Sequence, residues 1–303
     1  LRTHCRVREI TLGPDGMANG VVYYDKDGRE QFQPAHIVVL ASNGIGTPRL
    51  LLNSRSERFP NGLANSSDQV GRNLMFHPYI SIFGWFHEEL DGERGPDNAA
   101  WSHEFYETDA SRGFLRGFIW EFSRGMGTAA TAIDGVEGGG VPWGAGHHDA
   151  YRTRHRRGTG LGAILEDLPD PDNRVTIDPV LRDSSGIPAP RITYRLNENS
   201  QRMVDFAIAR GTEVLKAAGA YAVESEGPLP YGGWHLMGTA RMGTDPRTSV
   251  VNEWGRAHDV KNLFVIDGSL FVTSAGVNPT PTIQALALYV ADQMKQRLGT
   301  LFD

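Results

Sequence analysis

The sequence predicts an α/β chain, α+β overall: part of a parallel α/β unit joined to an antiparallel sheet. Three observations carry this. The apolar run HIVVLA (36–41) passes through the glycine-rich turn SNGIGTP into RLLLNS, which has helical character. From about 75 to 230, short alternating segments are separated by long loops. After 231 the α/β style returns, with NLFVIDGS (262–269) and the long segment NPTPTIQALALYVADQMKQRL (278–298). Strand, tight turn and helix in that order are half of a parallel unit.

Element by element, CRVREI, GVVYYD and REQFQ are rich in β-branched and aromatic residues. Asp27 and Gly28 between the last two predict a hairpin. HIVVLA is unbroken by polar residues, as in a strand buried on both faces. Gly44 and Gly46 supply the backbone freedom of the turn that follows it. YISIFGWFHEE, GFLRGFIWEF, LGAILEDL, RVTIDP and RITYRL read as strands of an antiparallel sheet. GVEGGGVPWGAG (135–146) is too rich in glycine for a regular element and is expected to be a mobile loop. Residues 198–219 form an amphipathic helix, with Met203, Phe206, Ala207, Val214 and Leu215 on one face and Gly219 at its end. NLFVI is a second buried strand. In the last helix Ile283, Leu286, Ala287, Val290 and Met294 make the apolar stripe, with Thr280 as cap and Pro281 at the first helical position.

Composition limits the function classes. The chain has 303 residues, 40% hydrophobic and 22% charged, which suits a globular chain with a core. A net charge of −6 asks for neither nucleic acid nor an anionic membrane surface. The basic run RTRHRRG (152–158) reads as a solvated loop. No apolar stretch approaches the ~20 residues of a membrane span. Cys5 is the sole cysteine, so no internal disulfide and no cysteine metal cluster is expected. The ten histidines show no i, i+4 pair with a glutamate between, and no metal site is expected. The first residue is Leu1 within a strand already under way, so the sequence is expected to begin inside a longer protein, with no leader from which to read a cellular location.

Three C-terminal pieces hold the residues suited to chemistry. His235 lies in GGWHLMGTARMG (232–243), Asp267-Gly268 at the end of a strand, and Asn278-Pro279 ahead of a helix. Ligands of parallel α/β sheets gather at the carboxyl ends of strands. A helix N-terminus there offers free N–H groups to a cofactor that gains negative charge. Spacing alone leaves other readings open: a hydrogen-bonded core histidine, a strand-end cap and a turn asparagine. His77 in NLMFHP reads as structural, bonding a loop backbone, and Trp234 as packing or as a platform for a sugar ring. Glu166 and Asp167 fall at a strand end and do not read as an acid pair.

Four ordered segments now carry a resemblance. They are ASNGIGTPRLLLNS (41–54), VGRNLMFHP (70–78), HLMGTARMG (235–243) with SVVN (249–252) and NLFVIDGS (262–269), and NPTPTIQALA (278–287). Together they resemble the C-terminal portion of the glucose–methanol–choline (GMC) FAD-dependent oxidoreductases, nearest to the sugar and gluconate dehydrogenase and pyranose oxidase branch. The resemblance implies a partial Rossmann-like FAD-binding domain in 1–72, an antiparallel-sheet substrate domain in 73–230, and a return to the FAD domain in 231–303. The family's catalytic pair falls on His235 and Asn278. Its flavin contacts fall on Val7 near the adenine, on Asp267 and Gly268, and on Asn278, Pro279 and Thr280, with Thr282 also near the flavin ring.

The resemblance also implies the chemistry. Oxidising an alcohol removes a hydride from carbon and a proton from oxygen. FAD takes the hydride at N5, His235 takes the proton, and Asn278 donates to the oxygen as it becomes alkoxide-like. Small residues Gly238, Thr239 and Ala240 are expected to leave room for flavin and substrate. The implied substrate is a polyhydroxylated small molecule: a sugar, sugar acid or glycoside. The electron acceptor stays open among oxygen, a quinone and a cytochrome. One departure is plain: the family's G-x-G-x-x-G after an N-terminal strand is absent. An N-terminal half or a partner chain is therefore expected to supply the pyrophosphate contacts. Two further readings stay open, a non-redox lyase of the same family and a non-catalytic fragment that needs such a partner.

Overall fold

A computed structural model describes every residue except 97, 135–139, 231 and 303. Residues 135–139 of GVEGGGVPWGAG lie outside the described residues, and 140–146 form neither helix nor strand. The chain opens with the antiparallel strands β1 (Arg6–Leu12), β2 (Ala18–Tyr24) and β3 (Glu30–Pro34) in that order. The predicted turn before β3 is held by Asp25, whose carboxylate accepts from the N–H groups of Asp27 and Arg29, with Gly28 at φ +75°.

Next come β4 (Val38–Leu40) and α1 (Asn43–Asn53). β4 pairs in parallel with β12 (Leu263–Val265), the strand predicted near the other end of the chain. β12 is buried throughout, but β4 is not: Val38 and Leu40 are buried while Val39 is 43% exposed. Ile10, Ala18, Leu51 and Val70 cover the Val38 and Leu40 face, and the opposite face of β4 is open.

The middle of the chain builds a five-stranded antiparallel sheet in the order β11-β5-β8-β7-β6. Its strands are β5 (Tyr79–Trp85), β6 (Asn98–Ser102), β7 (Phe118–Ser123), β8 (Gly158–Leu165) and β11 (Ala222–Glu226). Two short helices, α2 (Thr128–Ile133) and α3 (His147–Arg154), lie between β7 and β8. RVTIDP and RITYRL leave this sheet and form their own hairpin, β9 (Arg174–Arg182) and β10 (Pro188–Thr193). Arg49 of α1 holds that hairpin, donating to the carbonyl of Pro188 at 2.9 Å and to Asp183 at 2.9 Å.

Helix α4 (Glu198–Ala217) is capped by Asn197, which accepts from the N–H of Ser200. It packs Met203, Val204, Ala207 and Leu215 on Ile82, Trp120 and Leu161. Val214, predicted on this face, is 47% exposed. The buried line runs instead through 200, 204, 207, 211 and 215, where a Cβ on Gly211 would come within 2.3 Å of Ile82 Cδ1. Gly219 ends the helix at φ +102°.

Helix α5 (Thr280–Gln296) buries Val290 and half-buries the rest of its predicted stripe. Its N-cap position is Pro279, not Thr280, and no side chain caps it. Proline has no side-chain acceptor, so the first N–H groups of this helix are left for another partner.

The run RTRHRRG is not a solvated loop. Arg154 pairs with Glu224 at 2.8 Å, Arg156 with Glu89, Asp91 and Glu93, and Arg157 with Glu89. These pairs tie the loops at the edge of the five-stranded sheet.

The segment 237–242 is laced between two others. Met75 and Met237 exchange backbone hydrogen bonds, and Gly71 N–H donates to Thr239 O at 2.7 Å. On the other side, N–H groups of Gly238, Ala240 and Met242 donate to the carbonyls of Gly268, Ser269 and Leu270. Gly238 sits at φ +91°, and a Cβ there would lie 2.1 Å from Asn73 O. Gly238→Ala is expected to cost about 2–5 kcal/mol, the sum of a left-handed conformation and overpacking. Gly186→Ala, at φ +77° with nothing within 4 Å, should cost only the first part, about 1–2 kcal/mol. Urea midpoints at unchanged slope check the difference, and equal losses would contradict it.

Candidate active site

His235 lies just ahead of the laced segment, half-buried, and the next residue fixes its place. A Cβ on Gly44 would lie 2.6 Å from Leu236 O, and one on Gly268 2.7 Å from the same oxygen. Both glycines are thus required for the Leu236 backbone to pass between the start of α1 and the end of β12. Thr239 Oγ1 donates to Gly44 O at 2.7 Å and completes the clamp. The small residues after His235 therefore serve chain packing. Gly238, Thr239 and Ala240 are buried against protein, which corrects the expectation that they leave open space for ligands.

The predicted Asp267 has its carboxylate fully committed. It accepts from Ser42 N–H at 2.8 Å, Thr47 Oγ1 at 2.6 Å and Ser269 N–H at 2.8 Å. This is the strand-end cap. The residue joins the ends of β4 and β12 to α1.

Val7 is part exposed and lines a cavity of about 320 Å³ together with Arg8, Ser42, Gly46, Arg49 and Leu50. That cavity opens at the glycine-rich turn leading into α1. Asn278 precedes the uncapped end of α5, and its Oδ1 is buried without a hydrogen-bond partner. A buried amide oxygen left unbonded costs about 1–3 kcal/mol, which a ligand recovers. Pro279 is buried and Thr280 exposed at the same helix end.

The contact the sequence did not reveal is between two histidines. Nδ1 of His77 lies 2.8 Å from Nδ1 of His235, with the rings edge to face at 5.0 Å. His77 also bonds loop backbone as expected: its Nε2 faces Ser274 O at 3.1 Å and Ala275 O at 2.6 Å. Its own N–H donates to Trp234 O. Burial, and secondarily the neighbouring His235, pushes the His77 pKa down to about 4. Burial alone lowers that of His235.

Behind His77 stands Asp167, just past the end of β8. It accepts from Tyr194 Oη at 2.8 Å, Ser200 Oγ at 3.2 Å and Phe76 N–H at 3.3 Å. Ser274 Oγ accepts from Asp167 N–H and donates to Asp167 O. Burial raises the Asp167 pKa to about 6 despite these donors. Glu166, beside it, faces Arg116 and is not its partner.

The model of the GMC oxidoreductase family matches residues 169–287. This stretch is a GMC oxidoreductase domain. The chain is 41% identical to 2-methyl-1,2-propanediol dehydrogenase of Mycolicibacterium austroafricanum, over 100% of this chain and 55% of that protein. It is 34% identical to the fructose dehydrogenase large subunit of Gluconobacter japonicus, over 90% of this chain and 49% of that protein. Among solved structures, formate oxidase of Aspergillus oryzae RIB40, described for the effect of a mutation on FAD modification, superposes with a TM-score of 0.69 at 17% identity. That match covers 98% of this chain and 61% of that one. The chain spans about half the length of the curated relatives it matches.

The two buried titrations oppose each other. His77, with a folded pKa of about 4, is charged more readily when unfolded, so its contribution to stability is complete above pH ~6.5 and is lost as pH falls towards 4. Asp167, with a folded pKa of about 6, holds its proton more tightly when folded, so its contribution is complete below pH ~3.9 and is lost as pH rises through 6. Urea unfolding between pH 4 and 6 separates them. His77→Gln should make the slope of stability against pH more negative than in the parent, and Asp167→Asn more positive. Unchanged slopes in both would contradict the assignment.

Proposed function

We propose that the complete protein is an FAD-dependent oxidoreductase that oxidises a CH–OH group, with His235 as the base and Asn278 as the donor to the substrate oxygen. The observation that carries this is the state of His235. One ring nitrogen is held by His77, and among the described residues the other makes no hydrogen bond, on a ring only half-buried. A half-buried imidazole with lowered pKa stays neutral near pH 7, as a proton acceptor must.

The residues present fit an FAD on two observations: the orphaned amide of Asn278 and the uncapped N-terminus of α5. In this reading Val7 lies by the adenine, the Asp267–Gly268 backbone meets the middle of the cofactor, and Asn278, Pro279 and Thr280 face the flavin ring. When bound, FAD accepts the hydride. His235 removes the hydroxyl proton at its free nitrogen. The Asn278 amide, turned to present Nδ2, stabilises the charge that grows on oxygen, a role worth ~10²–10³-fold in comparable sites. The domain division belongs to the same proposal, with 1–72 and 231–303 about the cofactor and 73–230 about the substrate. It is supported by the separation of the apolar cores among the described residues: one unites residues 10–70 with 240–270, another holds residues 80–215, and a smaller third packs Val290 and Leu301 with Trp254 and Phe264.

The substrate reading is a polyhydroxylated small molecule. The relatives named for 2-methyl-1,2-propanediol and for fructose support it, since both compounds carry adjacent hydroxyl groups. Trp234, 44% exposed and next to His235, offers an apolar face to such a molecule.

The test is anaerobic mixing of the complete protein with diols, sugars and simple alkanols, followed by flavin absorbance. Diols and sugars are expected to bleach it faster than alkanols. His235→Ala should keep its flavin and slow bleaching by ~10²–10⁴-fold. Asn278→Ala should slow it by ~10²-fold. A His235→Ala protein as fast as the parent would sink the reading.

A further inference from the structure

We infer that His77 is a positioning residue for the proposed reaction: it fixes His235 in the tautomer that carries its proton on Nδ1 and leaves Nε2 as the base. This rests on the reading of His235 given above. The argument is one of donors and acceptors. Nε2 of His77 faces two carbonyl oxygens, those of Ser274 and Ala275. A carbonyl only accepts, so this nitrogen carries a hydrogen. His77 is fully buried, and a buried imidazole without a carboxylate partner is neutral. A neutral ring with its hydrogen on Nε2 has an acceptor at Nδ1. Nδ1 of His235, 2.8 Å away, must therefore be the donor. Its Nε2 is then the unprotonated nitrogen, with its lone pair directed away from His77.

The arrangement also suits the product of proton transfer. Once Nε2 of His235 has taken a proton, the ring is an imidazolium, and its Nδ1–H still donates to a neutral acceptor. No second proton has to move. His77 does not touch the reacting atoms, so its effect runs through His235 alone.

Charged and titratable groups around the pair do not compete for this hydrogen bond. Asp167 is occupied by Tyr194, Ser200 and the Phe76 N–H. Glu166 lies towards Arg116 and the Ala275 N–H. Tyr79 packs on Trp234 with ring centres 5.2 Å apart. Asp167 has a part in the placement as well, since it grips Phe76 on one side of His77 and, through Ser274, the loop whose carbonyls accept from it.

The test uses the complete protein with 15N-labelled histidine. Nitrogen chemical shifts and their couplings to ring protons distinguish the tautomers of His235 in the resting protein, assigned by loss of its signals in His235→Ala. The parent should show hydrogen on Nδ1. His77→Leu removes the acceptor and should turn His235 towards hydrogen on Nε2, the form free histidine side chains favour. His77→Gln, whose side-chain oxygen can accept and whose amide can donate to the same carbonyls, should keep the parental tautomer. In turnover, His77→Leu should lower kcat by ~10–10²-fold with KM little changed, less than the ~10²–10⁴-fold of losing the base, and His77→Gln should restore much of it. Hydrogen on Nε2 in the parent, or an unaltered tautomer in His77→Leu, overturns the inference, including the case in which that variant is merely less stable. The spectra do not depend on any reaction, so they remain decisive if the proposed activity fails.

Discussion

The carbonyl of Leu236, passing between two glycines, is the constraint on which the rest of the arrangement depends. On one side lies Gly44 at the start of α1, on the other Gly268 at the end of β12. Any side chain at either place would collide with that oxygen or force the segment outward. Because it fits, the backbone from 237 to 242 can bond to 71–75 on one edge and to 268–270 on the other. His235 is carried at the mouth of this three-way junction, and its direction is set by how closely the junction closes.

Two buried carboxylates support the junction from opposite sides. Asp267 binds the ends of the parallel pair to α1 through three short hydrogen bonds. Asp167 binds the Phe76 backbone beside His77, Tyr194 just past β10 and helix α4 to the loop at Ser274. Neither faces a basic side chain in these contacts. Both are satisfied by hydroxyl and N–H groups, whose directions are more restrictive than those of an ion pair. The arginine-rich edge of the five-stranded sheet is held differently, by Arg154, Arg156 and Arg157 facing a row of carboxylates.

Much of the fold was legible because local patterns decide it. The β2–β3 turn, the strand–turn–helix at 36–53, the amphipathic α4 and the stripe of α5 all follow from periodicity and turn residues. What was not legible depends on partners distant in the chain. Local pattern explains Gly44 by turn freedom, but its stricter reason is Leu236. An apolar run suggests a buried Val39, because composition cannot say whether both faces of a strand are covered. Residue type suggests Thr280 as a cap, and the helix begins one position earlier in capping terms. In the site, His235 and Asn278 stood out by resemblance, whereas His77 looked like a loop anchor. It is that, and the hydrogen bond it adds to His235 spans 158 positions, a relation no local signal encodes.

The parallel pair has a consequence for how the chain reaches this state. Among the described residues β4 pairs with β12 alone, and the Asp267 to Ser42 bond that locks them spans 225 positions. At ~5–20 residues per second of synthesis, β4 waits roughly 10–45 s for its partner. During that time Val38 and Leu40 belong to an unpaired apolar strand, while the antiparallel sheet between can already form through nearer pairings. Contacts of such range also slow spontaneous folding, since loop closure precedes any gain from pairing. Strands β1 and β2, whose Ile10 and Ala18 share an apolar core with Val38 and Leu40, shelter that face over the interval, while the strand edge stays open until β12 pairs with it.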